Sequence, residues 1–269
     1  EWKRQLWLSA DICNSLPYRQ SRKVYLAVYA AERTGNPHAF DHGTRDGHLL
    51  EQIIEKDLEL RNRKVELSEA FPAYKRQKSY LLAGLLIDDV SNYALLSGVH
   101  AVKKDGMYHR GMEGFCAEQN MVQVPLAVLS EWERMECDHN EIWIVENPSI
   151  FARLCGEYPC MCMNGQPRLA GLLVLDLLAE AGTVIHYAGD LDPEGLLIAQ
   201  KLSQYYKGAF YYWHMTEEDY HMCRSKEALS ERRIGMLQKI TDPQLLPVAR
   251  AIAEYGMAGY QEKIDYRGR

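Results

Sequence analysis

The sequence predicts an α/β protein: a Rossmann-like domain on a mostly parallel four-stranded sheet, preceded by a mainly helical N-terminal region. Three observations predict it. From residue 141 onward, short apolar runs alternate with helix-length segments, the order that builds βαβ units. Those runs are apolar throughout rather than at every second position, as in strands covered on both faces. Before about residue 135, apolar residues recur instead at helical spacing.

In the N-terminal region "SRKVYLAVYAAERTG" reads as a helix closed by Gly35, and "GHLLEQIIEKDLELRNRK" and "SYLLAGLLIDDVSNYALLSG" as two more. Between the first two lies the turn-rich "TGNPHAFDHGTRDG"; its His38, Asp41, His42 and Arg45 are either site residues or side chains that tie the loop down. Residues 121–130, "MVQVPLAVLS", read as a strand entering a helix, and "ECDHNE" as a polar hinge. The expected division is a helical region at 1–135 and a sheet domain at 141–269. The opening "EWKRQLWLSA" is neither a secretory signal nor a Met start, so a further N-terminal part is expected.

In the second part "EIWIVE" is the first strand, "NPSIFARLCGE" a helix opened by Asn147 and Pro148, and "PCMCMNG" the second strand. The helix "QPRLAGLLVLDLLAEAG" ends at Gly182, "TVIHYAG" is the third strand, "PEGLLIAQKLSQYYKG" a helix ending at Gly208, and "AFYYWHM" the fourth strand. "SKEALSERRIGMLQKI" and "DPQLLPVARAIAEYGMAGYQEKI" then read as amphipathic helices that cover the sheet or join a partner.

Composition narrows the class. At 269 residues and 47% hydrophobic the chain has the material for globular cores. No apolar run approaches the ~18–20 residues of a membrane span. Seven cysteines, mostly inside apolar stretches and without paired CxxC spacing, fit reduced thiols in cytoplasm. A net charge of −6 argues against general nucleic-acid affinity. Basic clusters at Arg61, Arg63 and Lys64, at Lys75, Arg76 and Lys78, and at Arg232 and Arg233 read as solvated helix faces, and a bound metal would reverse the local field of an acidic site.

In open α/β sheets ligands bind beyond the carboxyl ends of the strands. Two of those ends carry acids here: Glu146 closes the first strand, and Asp190 the third. Asp192 lies two residues on and precedes Pro193, which makes it a helix N-cap candidate, while Glu194 suits the positive end of the helix dipole. Capping does not account for Glu146. Converging carboxylates repel unless a cation holds them, and an all-oxygen set favours Mg2+ or Mn2+. The expected metal ligands are Glu146, Asp190 and Asp192. Glu194 either binds a second ion or orients water, or is a solvated helix-start acid. Asn164, Gln166 and Arg168, on the exit from the second strand, are candidate phosphate contacts or surface residues. His186 is expected to be packed rather than ligating.

A strand ending in Glu146 followed by a strand ending in DxDxxG, here Asp190, Asp192 and Gly195, resembles the Toprim domain of topoisomerases, primases and related nucleases. "GDLDPEG" is most similar to the Toprim of the topoisomerase VI A subunit. In order, "TGNPHAFDHGT", "LLAGLLIDDVSN", "VENPSIF", "YAGDLDPEG" and "YYWHMTEEDY" resemble the JetD-like nuclease subunits of Wadjet systems, bacterial anti-plasmid defence complexes built on an SMC-like ATPase. The resemblance implies a Toprim fold and a Mg2+- or Mn2+-dependent DNA endonuclease with Glu146, Asp190, Asp192 and Glu194 as catalytic residues. It further implies plasmid DNA as substrate, SMC-like partners, a homodimer with one site per strand, and an N-terminal region that binds DNA or a partner.

The topoisomerase relatives attack DNA with an upstream tyrosine. No such motif precedes residue 141, and the tandem Tyr205–Tyr206 and Tyr211–Tyr212 pairs lie within the sheet domain, where packing is expected. Hydrolysis by activated water is therefore favoured over transesterification. The acids also suit a small-molecule phosphohydrolase, or a non-catalytic assembly subunit that keeps the fold. Glu194, where a phosphohydrolase would carry a small residue, counts against the first, and the intact acids count against the second.

Overall fold

A computed structural model describes residues 2–87 and 92–266. They form two compact units that part between Asn92 and Tyr93.

The first unit runs α1 (Trp2–Ser15), a 3-10 turn (Pro17–Gln20), β1 (Val24–Tyr25), α2 (Leu26–Thr34), α3 (Arg45–Leu60), α4 (Pro72–Leu82) and β2 (Leu85–Leu86), with β1 and β2 paired in parallel. α2 ends on Gly35 in the left-handed conformation, φ 76°, as its sequence predicts. α3 buries Leu50, Ile54 and Leu58 one turn apart and is capped by Thr44, which accepts from the Gly47 N–H at 2.9 Å. The preceding loop is tied by its own side chains: His38 Nδ1 stands 3.0 Å from Asp41, His42 Nδ1 3.3 Å from Glu51, and Thr44 donates to the Ala39 carbonyl at 2.7 Å. Buried Asp57 accepts from Tyr18, Arg19 and Arg61, so Arg61 is part of an internal ion network rather than a solvated face.

The helix expected across 79–98 is not formed. α4 stops at Leu82 and the chain turns through Gly84 at φ 84°, so close to its neighbour that a β-carbon there would lie 2.6 Å from the Tyr18 nitrogen. Residues 88–91 of that stretch lie outside the described residues.

The second unit contains β3 (Tyr93–Ser97), β4 (Val99–Lys103), α5 (Arg110–Ala117), β5 (Val122–Pro125), α6 (Leu126–Leu129), β6 (Trp132–Cys137), β7 (Glu141–Val145), α7 (Pro148–Leu154), β8 (Cys160–Cys162), α8 (Leu169–Glu180), β9 (Val184–Ala188), α9 (Pro193–Tyr205) and β10 (Phe210–Tyr212). Then follow α10 (Glu217–Cys223), β11 (Arg224–Ala228), α11 (Glu231–Met236), α12 (Leu246–Tyr255) and β12 (Met257–Gly259). The main sheet has the order β10–β9–β7–β8–β3–β5. Its four C-terminal strands are the four expected and are mutually parallel; β3 runs antiparallel to β8, and β5, antiparallel to β3, lies at the edge, so the sheet has six strands rather than four. The change of pattern near 135–141 falls inside this unit.

The sheet's topology contains a switch point. The chain steps from β7 to β8 in one direction, then back across β7 to β9 and on to β10. Right-handed crossovers put α7 on one face and α8 and α9 on the other. The Tyr205 hydroxyl of α9 donates to Asp176 of α8 at 2.7 Å, as two helices on one face allow. The strand order therefore reverses between β7 and β9, the switch point at whose carboxyl end such sheets bind ligands. α8 is apolar all round because it is covered twice, by the main sheet at β3 and by β6 of the separate β4–β6 pair.

The C-terminal segment differs from the two helices expected. Arg224–Ala228 is a strand, β11, paired antiparallel with β12, and only α11 and α12 are helical apart from short 3-10 turns. Among the described residues no helix is long and apolar enough to cross a membrane.

Candidate carboxylate site

The ends of β7 and β9 are tied together by backbone. The Glu146 N–H, one residue past β7, donates to the Ala188 carbonyl of β9 at 3.1 Å. The loop that follows β9 is clamped in turn by β12: Leu191 and Gly259 exchange two backbone hydrogen bonds of 2.9 Å each. The Gln261 N–H, two residues on, donates to Asp190 Oδ1 at 3.1 Å. Asp192 caps α9, its Oδ1 accepting from the Gly195 N–H at 2.8 Å. Glu146, Asp190 and Asp192 thus meet at the switch point from two strands and the start of one helix.

The electrostatics of the cluster are unbalanced. Burial, and then the charges of Asp190 and Asp192, push the Glu146 carboxyl up to about 7. Burial raises Asp190 to about 6, against the Gln261 N–H and with the help of Asp192 and Glu262. Asp192 is raised too, chiefly by burial. Positive charge comes from Arg233 of α11, which donates from Nη2 to Asp192 Oδ2 at 2.6 Å and to Glu194 Oε2 at 2.7 Å, and from Nε to both Glu194 oxygens at 2.9 and 3.0 Å. Glu194, in the first turn of α9 and 38% exposed, is half of an ion pair. The Glu146 Oε2 atom is buried without a hydrogen-bond partner, and so is the Tyr187 hydroxyl. Each would lie 3.2 Å from a β-carbon on Gly189, so both orphans border the same glycine.

Among the described residues no group of three or more His, Cys, Asp or Glu side chains is set to hold a metal ion. Glu146, Asp190 and Asp192 do not form the ready three-ligand set expected of them; both Asp192 oxygens accept hydrogen bonds, one from the helix amide and one from the guanidinium. The donor chemistry fits a divalent cation all the same: the donors are hard oxygens, Glu146 Oε2 is buried and orphaned, and the raised carboxyls are those a cation would discharge.

The other expected residues stand further out. Asn164, Gln166 and Arg168 are exposed on the loop that leaves β8, at the same end of the sheet, with Asn164 in the left-handed conformation of a turn. His186 is packed, its ring stacked on Trp143 at 4.9 Å and on Tyr211 at 5.8 Å. Tyr205, Tyr206 and Tyr212 are held in place by hydrogen bonds to Asp176, the Thr183 carbonyl and Asp242. Three neighbours of the acids are not marked in the sequence: Arg233, which reads as part of a solvated face, and Tyr187 and Gln261, for which no signal exists beyond their nearness to the strand end and the chain terminus.

Two family models match the chain. One, described as protein of unknown function, C-terminus (DUF2399), covers residues 122–265, which contain every carboxylate of the cluster. The other, described as protein of unknown function, N-terminus (DUF3323), covers residues 4–101. No curated protein matches the chain.

Proposed function

The chain belongs to the DUF2399 family, and we propose that it is a Mg2+- or Mn2+-dependent DNA endonuclease working at the crevice between β7 and β9. The observation that carries this reading is the buried, partnerless Oε2 of Glu146 beside two further carboxyls at a topological switch point. Burying a carboxylate without a counter-charge is costly, and a cation is the simplest remedy for several at once.

Glu146 and Asp190 would hold the ion, with Asp192 joining them. Bound there, it would stabilise charge on the oxygens of a scissile phosphate and bring the pKa of an attacking water toward neutrality. The chain's own groups have separate tasks. The Gln261 N–H fixes Asp190 through Oδ1. The Gly195 N–H fixes Asp192 through Oδ1. Glu146, raised to about 7, is only partly ionised near neutral pH and would lose its remaining proton when positive charge arrives. The Toprim fold, the plasmid substrate, the SMC-like partners and the second copy of the chain all rest on the motif resemblance, and a cytoplasmic setting is consistent with seven free cysteines.

The test is to incubate circular plasmid with the protein, its SMC-like partner complex and Mn2+, beside an Asp190→Ala variant. Nicked or linear product that disappears in the variant is expected. No cleavage by the complete wild-type assembly, with no Mn2+ bound in calorimetry, rejects the assignment.

A further inference from the structure

We propose that Arg233 grips the DNA phosphodiester in this site, and that Asp192 and Glu194 hold it in reserve until a divalent ion claims Asp192. The inference rests on the nuclease reading and adds to it a substrate-binding residue and an order of events.

The first step is competition for one atom. Asp192 Oδ1 is committed to the Gly195 amide, so Oδ2 is the oxygen left to meet an ion, and Arg233 Nη2 occupies it at 2.6 Å. A guanidinium and a divalent cation drawn to the same oxygen repel each other at short range in a partly buried site. Ion entry therefore weakens the hold of Asp192 on Arg233.

The second step is the fate of the guanidinium. Its planar fork, now spent on the carboxylate of Glu194 through Nε and Nη2, matches the paired oxygens of a phosphodiester equally well. The helix that carries it is suited to moving. α11 is six residues long, none of them buried, and the Arg233 side chain is 32% exposed at the mouth of the cluster. A short shift of α11 takes the guanidinium from acids that have gained a cation to the phosphate drawn in by that cation. Without an ion the pair keeps two of the acids neutralised and the phosphate grip closed, so cation and substrate are taken in sequence.

Arg233→Gln separates this role from a structural one, because the two ligands should respond in opposite directions. In calorimetry with Mn2+ alone, the variant is expected to bind the ion roughly tenfold more tightly, its competitor being gone. In fluorescence anisotropy with a short labelled duplex in Ca2+, it is expected to bind roughly tenfold more weakly. Arg233→Lys keeps the charge without the fork and should lose duplex affinity while leaving Mn2+ affinity within about threefold of wild type; it also serves if the Gln variant melts below assay temperature. Unchanged affinity for both ligands, or a joint fall in both with a lowered melting temperature, overturns the proposal and leaves the nuclease reading standing. Failure of wild type and variant alike to bind Mn2+ overturns both.

Discussion

A β-carbon on Gly195 would stand 2.2 Å from the carbonyl oxygen of Asp190. That is inside any van der Waals contact, and the atom it meets is backbone, which does not rotate away. The glycine of the DxDxxG motif is thus required by the approach of α9 to the loop that carries both aspartates. Gly195→Ala is expected to cost about 1–3 kcal/mol and to displace Asp190, seen as a lowered urea midpoint and a loss of Mn2+ binding. Gly235→Ala on α11, with nothing within 4 Å of its β-carbon, should instead gain about 0.5–1 kcal/mol. Equal behaviour of the two variants would refute the packing argument.

Stability without divalent ions should fall as pH rises from the ordinary Glu value of 4.5 toward about 7, the value to which Glu146 is raised. In that window folded Glu146 keeps a proton that the unfolded chain has lost, so rising pH favours unfolding. Its contribution is complete below pH 4.5 and gone above 7. Asp190, raised to about 6, adds a shallower loss of the same sign. Glu146→Gln removes the larger titration while keeping the shape. In EDTA the variant should gain about 2 kcal/mol on wild type between pH 5 and pH 8, measured by urea unfolding. Parallel stability curves for the two proteins would sink the assignment.

The parallel strands were legible because each is a short apolar run set off by turns and separated by a helix-length segment. The meeting of Glu146, Asp190 and Asp192 was legible because parallel strands end side by side along one edge of the sheet. β3 was hidden because its apolar residues continue those of α4, and a run of that kind satisfies either period until pairing selects one. Arg233 was hidden for another reason. Its partners lie 39 and 41 residues back along the chain, and no local pattern marks a side chain whose role is set by tertiary approach. Gln261 reads as surface in "GYQEKI" yet is fully buried, because β12 brings the terminal segment across the β9 loop.

Gln200 fastens the C-terminal segment to α9. Buried on that helix, it accepts from the Thr241 and Asp242 amides at 2.7 and 2.9 Å and donates to the Lys239 carbonyl at 3.1 Å. Gln200→Leu preserves bulk but strands three backbone groups, at a cost of about 2–4 kcal/mol. The same segment follows α11, so hydrogen exchange should rise across 237–242 in the variant. A change below about 0.5 kcal/mol would mean that water satisfies those amides as well as Gln200 does.

Asn147 has two hydrogen-bonding tasks that one substitution can separate. Its side-chain oxygen caps α7 by accepting from the Ser149 N–H at 2.8 Å, and its amide nitrogen donates to Glu262 at 2.6 Å. The second bond links the "VENP" turn to the segment whose Gln261 amide holds Asp190. Asn147→Asp keeps the capping acceptor, which aspartate supplies as well as asparagine. It loses the donor and sets a second carboxylate against Glu262. If capping were the whole role, the variant would match wild type. The structure predicts instead a loss of about 1 kcal/mol at neutral pH, partly recovered at high salt, where screening relieves the repulsion. Asn147→Ala, lacking both functions but adding no charge, should lose a similar amount with no salt dependence, so a salt response common to both variants would count against the Glu262 contact.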